Sequence, residues 1–96
     1  MIILHVVGVV SDECPKCIQA VEALRIRFKD HGVQLEFALV HRGDSEEDFQ
    51  MAKEKFGLND PPSFSIFGDI YSGLFFAPGK VEETVRKLRE WSNTQL

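Results

Sequence analysis

Apolar residues run almost unbroken from Ile2 to Val10, and most of them are β-branched. A short run of this kind predicts a strand buried on both faces, inside a parallel or mixed sheet. Ser11-Asp12-Glu13 breaks it. From Pro15 to about Asp30 the period lengthens. Ile18, Val21, Leu24 and Phe28 recur at three- and four-residue intervals and predict a helix buried along that stripe. Pro15 suits the first turn, where its missing N–H costs nothing, and Gly32 suits the stop. Leu35 to Val40 reads as a second strand. Ser45 with Asp48 three residues on resembles a capping box, and Glu46, Glu47 and Asp48 complement the positive end of a helix. Phe49, Ala52 and Phe56 give that helix its buried side, and Gly57 ends it. Ser63 to Phe67 alternates as a strand, with Phe64 and Ile66 on one face. Gly68-Asp69 signals a turn. Ile70 to Phe76 follows as a partner strand, interrupted at Gly73. Pro78-Gly79 opens a last helix, buried through Val81, Val85, Leu88 and Trp91.

This order predicts a single α/β domain over residues 1–96: a four-stranded mixed sheet flanked by three helices. The first two strands are expected to be parallel and joined by a right-handed crossover. Helices must cover both faces to bury strands this apolar. The sequence shows no linker, repeat or low-complexity segment.

Charge narrows the choice of partner. The net charge is −4, and no basic cluster offsets it, which argues against nucleic acid or an anionic membrane. No apolar run approaches the ~20 residues that a membrane span needs. Met1 leads straight into Ile2-Ile3-Leu4, with no basic leader and no small-residue cleavage site. The expectation is a cytoplasmic monomer whose thiols are normally reduced.

The chemistry lies in Cys14-Pro15-Lys16-Cys17, which holds the only two cysteines of the chain, between a strand and a helix. One thiolate of such a pair can attack a disulfide while the other waits within reach to resolve it. The amides of the helix N-terminus, Cys17's among them, face Cys14 and favour its thiolate. Lys16 adds a positive field, which Asp12 and Glu13 oppose, so a moderately acidic Cys14 is expected. Two other readings stay open at this point. The pair can be half of a zinc site, although four ligands are needed and only His5, His31 and His41 are at hand. His5 reads as a core or edge residue, His31 as a solvated helix end and His41 as surface. The cysteines can also be inert core residues.

Three features make the chain resemble the thioredoxin superfamily, specifically its small glutaredoxin-like branch. They are Cys14-Pro15-Lys16-Cys17 at a strand-to-helix junction, Pro61-Pro62-Ser63 just before the third strand, and Ser72-Gly73 about ten residues later. The match in element order covers nearly the whole chain. It also departs from the pattern. Glu13 stands where thioredoxins have Trp, and Gly8 aligns with their buried acid. Asn59-Asp60 precedes Pro61 where glutaredoxins have Thr or Ser and Val. Ser72-Gly73-Leu74-Phe75-Phe76 replaces Gly-Gly and acidic residues; that segment is similar to the glutaredoxin-like hydrogen donors of ribonucleotide reductase.

The resemblance implies a thioredoxin-like fold and a cofactor-free dithiol–disulfide oxidoreductase acting on protein or small-molecule disulfides. Cys14 would be the nucleophile and Cys17 the resolving thiol. Pro62, in a cis bond after Pro61, would align an extended substrate, with Lys16, Ser72 and Gly73 beside it. The electron donor is either a thioredoxin reductase or glutathione, and service as an electron donor to a reductase is a further role the resemblance implies. The rival functions are a thioredoxin-fold binding module without turnover and a metal-binding protein.

Overall fold

The computed structural model describes residues 2–11, 14–73, 76–77 and 79–95. The expected element order is present: β1 (Ile2–Val10), α1 (Pro15–Lys29), β2 (Val33–His41), α2 (Glu46–Phe56), β3 (Ser63–Ile66), β4 (Asp69–Ser72) and α3 (Lys80–Gln95). The chain is α/β, with one four-stranded mixed sheet in the order β2-β1-β3-β4. β1 and β2 run parallel from Ile2↔Val33 to Val10↔His41. β3 is antiparallel to β1, and β4 to β3.

Alternation along β1 divides the core into two layers. Val6 and Val10 face α1 and α3, where they meet Leu24, Phe28, Phe64, Tyr71, Val85 and Leu88. Val9 faces α2 and packs with Phe49, Ala52 and Leu58. α2 is shorter than the sheet it covers, so Ile3 and His5 on that face are exposed. His5 is therefore not a core residue; it pairs with Glu36 of β2, while β3 reaches only Val7–Val9 and leaves the other side of β1 open there.

Several local expectations shift. Ile18 is 67% exposed, and the buried stripe of α1 runs through Cys17, Ala20, Leu24 and Phe28 instead. That stripe packs into the core shared by β1, β3, β4 and α3. The hairpin turn is Phe67-Gly68 rather than Gly68-Asp69; φ is 50° and 84° at its two residues. Such a turn needs positive φ at both central positions, which frees Asp69 to begin β4. Phe67 accepts that conformation while its ring meets Trp91 edge to face at 6.1 Å. Trp91 is 53% exposed, so it touches the end of the sheet without being buried on it. β4 ends at Ser72, before Gly73. Leu74, Phe75 and Pro78 lie outside the described residues, as do Asp12 and Glu13. Ser45 caps α2 by accepting from the Asp48 amide at 3.2 Å, and Gly57 closes it at φ 67°.

One buried polar chain ties β4 to α3. The Tyr71 hydroxyl lies 2.7 Å from Thr84 Oγ1, and Thr84 donates to Asp69 at 2.6 Å. Lys87 pairs with Asp69 at 2.7 Å, and Lys80 Nζ donates to the Ile70 carbonyl. Burial works against the Asp69 carboxylate, but the bonds from Lys87 and Thr84 hold its pKa below the ordinary value. Burial pushes the Tyr71 phenol up to about 12. Tyr71 is the only tyrosine, so its ionisation can be read by itself in the near-ultraviolet absorbance. The folded protein is expected to form tyrosinate near pH 12, against about 10 in the unfolded chain. A folded pKa raised in this way adds stability that is fully present below pH ~10 and lost as pH rises toward the folded value. Native titration at the ordinary phenol pKa would refute the buried network.

Candidate functional site

Strand direction brings the chemistry to one end of the sheet. β1 and β2 are parallel, so their C-termini lie together, one leading to Cys14 and the other ending at His41. β3 runs the other way, so Pro62 just before it lies at the same end. β4 reverses again, and Gly73 just after it returns there. Across that end the order is His41, Cys14, Pro62, Gly73. The carboxyl ends of parallel strands commonly form the sites of open α/β sheets.

Cys14 and Cys17 are joined as a disulfide, with Cα atoms 5.3 Å apart. Cys14 is the N-cap of α1 and Pro15 its first residue. Cys17 stands one turn in and is 3% exposed, packed in the core beside α1 and α3, whereas Cys14 is half-buried. The two sulfurs are therefore unequal: one can be reached, the other is shielded. The Cys17 amide donates to the Cys14 carbonyl at 3.0 Å, so it does not serve the Cys14 sulfur as expected from the sequence. What remains is the positive end of the helix, whose field favours a thiolate at its cap. Lys16 is exposed.

The Pro61–Pro62 peptide bond is cis. Pro62 is buried, and its carbonyl accepts from the Gly73 amide at 2.9 Å. Ser63 and Ser72 place their hydroxyls 3.0 Å apart, and Asn59 binds both through its backbone and side-chain nitrogens. Lys53 holds Asp60 at 3.0 Å. The loop carrying Pro62 is thus pinned to α2 and to the end of β4. Ser72 is occupied in that anchoring, and Pro62 and Gly73 are linked directly.

A groove of about 300 Å³ opens on the other flank of the disulfide. Cys14 and Cys17 form part of its wall, with Ile18 and Val21 of α1 and Leu39 and His41 of β2. Pro62 and Gly73 are not part of this lining. His41, read from the sequence as surface, is half-buried here beside the cysteines. The available signal was the parallel pairing itself: a residue ending the second strand sits beside the end of the first, where the motif begins.

Among the described residues, no three His, Cys, Asp or Glu side chains come together as metal ligands. No helix among them is long and apolar enough to cross a membrane. Set against known proteins, the chain matches no family model and no curated protein.

Proposed function

We propose that this chain is a glutaredoxin-like protein of thioredoxin fold, a cytoplasmic thiol–disulfide oxidoreductase that reduces disulfides through Cys14 and Cys17. The observation that carries the reading is the pair itself: a disulfide at a helix N-terminus, one sulfur half-buried on an open groove and the other shielded in the core. The mixed four-stranded sheet, the three helices and the cis bond before β3 support the same reading.

The reduced protein begins with two thiols. Cys14 loses its proton and attacks one sulfur of the substrate disulfide. That S–S bond breaks, a first substrate thiol leaves with a proton, and a mixed disulfide holds the other half. Cys17 then loses its proton and attacks the Cys14 sulfur, releasing the second substrate thiol. Two electrons and two protons have passed to the substrate, and the protein is left oxidised. A thiol donor, either glutathione or the dithiol of a thioredoxin reductase, returns it to the start. Pro62, with Pro61 and Gly73, is the second flank, against which the residues preceding the substrate's cysteine rest.

The test is a redox titration in graded thiol–disulfide buffers, trapped by alkylation and read by mass. A reversible two-electron couple between about −200 and −270 mV is expected, the range of reducing glutaredoxins and thioredoxins. Thiols that never close to an intramolecular disulfide, or that stay blocked until metal is stripped, would replace this reading with a binding or metal-holding role.

A further inference from the structure

The cysteine groove continues away from the disulfide. A second cavity of about 410 Å³ lies along the same seam between α1 and β2, and the two share Arg25. Together they follow β2 from His41 back to Leu35, roughly 20 Å at strand rise. β2 is the edge of the sheet, and it is nine residues long. Its outer N–H and C=O groups therefore have no strand beside them. An edge of this length is a template for a further strand.

The side chains along the seam change character with distance from the cysteines. Next to them are Ile18, Val21 and Leu39, an apolar stretch. Beyond are Arg25 and Lys29 of α1, facing Leu35 and Phe37 of β2. Arg25 lies over the Phe37 ring at 5.4 Å. Among the described residues, no carboxylate pairs with Arg25 or Lys29. Gln34 and Glu36 also border the second cavity, but strand alternation sends their side chains to the α2 face, and Glu22 lies on the cysteine side of Arg25. The far half of the seam is cationic in a protein of net charge −4.

We infer that this seam is the docking track for the disulfide-bearing segment of a partner polypeptide. That segment adds to the β2 edge as an antiparallel strand, with its cysteine at Cys14, an apolar residue over Leu39 and acidic residues toward Arg25 and Lys29. The inference rests on the reductase reading and names the kind of substrate that site takes. Residues on one face of an added strand recur every second position, which gives the segment the pattern Cys-x-apolar-x-acidic-x-acidic. Antiparallel addition is the more stable of the two pairings. Main-chain bonds supply general affinity, and the apolar and cationic stretches supply choice. This surface lies on the opposite flank of the disulfide from Pro62.

Two synthetic peptides test it, Cys-Ala-Leu-Ala-Glu-Ala-Glu and Cys-Ala-Leu-Ala-Lys-Ala-Lys, each disulfide-linked through its cysteine to mercaptoethanol. The rate at which the reduced protein cleaves each is compared with its rate on hydroxyethyl disulfide, which carries no charge. The wild-type protein is expected to cleave the acidic peptide about tenfold faster than the basic one, with the ratio shrinking at high salt. Arg25→Glu/Lys29→Glu should invert the preference, read as the ratio of the two peptide rates. N-methylation of the acidic peptide on its pairing edge should slow it toward the basic one. Equal peptide rates, or a preference that survives the charge reversal, overturn the track while the reductase stands, provided hydroxyethyl disulfide is still reduced. Failure to reduce any of the three overturns the reductase reading and this inference together.

Discussion

Cys17→Ser leaves a protein that attacks disulfides and cannot let them go. Cys14 is half-buried on the groove and keeps its place at the helix cap, so the first step survives. The second step is lost. In the native protein the resolving sulfur is one helical turn away, and well-oriented intramolecular groups reach effective molarities of about 10⁵ M and above. An external thiol at millimolar concentration replaces that poorly. Dithiol turnover should fall on the order of 100-fold or more, and mixed disulfides should accumulate as mass adducts on Cys14. Cys14→Ser should lose activity without trapping anything, because Cys17 is shielded at 3% exposure. Both variants should fold, since serine is close to cysteine in size, though Cys17→Ser places a hydroxyl in the core and lowers stability somewhat. Unchanged turnover in either variant, or adducts on Cys17 in place of Cys14, would reverse or remove the assigned roles. Unaltered partner binding with no adduct in Cys17→Ser would favour a binding module.

Much of this site was legible because a motif and a topology point the same way. Cys14 to Cys17 is local: spacing and a following helical period are enough to place one sulfur at a cap and the other a turn inside. The cis bond at Pro61–Pro62 came with the family resemblance, which implies a cis-proline facing the cysteine pair; the dipeptide alone favours trans. What failed was context. Ile18 fits the helical period as well as Cys17 does, and only the sheet's position decides which of them is covered. His41 has no local signature at all; its place beside the cysteines comes from its pairing with Val10, 31 residues earlier in the chain. Phe67 breaks turn chemistry by taking positive φ without being glycine, so the Gly68-Asp69 signal points one residue past the turn. The Tyr71–Thr84–Asp69 network joins positions far apart in sequence, and no periodicity in the chain announces it. Local rules carried the elements, and long-range packing decided which side chains face the site.

Gly8→Val is expected to lower stability by about 1–3 kcal/mol, although every local rule favours it. Valine suits a strand better than glycine, and the rest of β1 is rich in it. Packing forbids it. In the sheet, Leu39, Gly8, Phe64 and Tyr71 stand in one cross-strand row on the α1 face. Phe64 is fully buried and lays its ring over Gly8, with Phe37 edge-on to it at 5.9 Å. A Cβ on Gly8 would run into that ring and come within 3.1 Å of Leu39 Cδ2. Neither neighbour can give way cheaply: Phe64 is held between β1 and β4, and Leu39 borders the cysteine groove. For a domain of this size, the loss is a fall in Tm of about 4–8 °C per kcal/mol. The contact predicts more than the loss. Phe64→Leu alone leaves a void and should also destabilise, but in the Gly8→Val background it removes the collision. The double variant should therefore be more stable than the sum of the two single changes predicts, with a coupling of at least about 0.5 kcal/mol. Strict additivity would mean that the glycine is kept for some reason other than the ring above it. Because Leu39 is the groove's wall, Gly8→Val should also slow reduction of an apolar peptide disulfide more than that of hydroxyethyl disulfide. The same missing side chain thus shapes the core and the wall beside the reactive sulfurs.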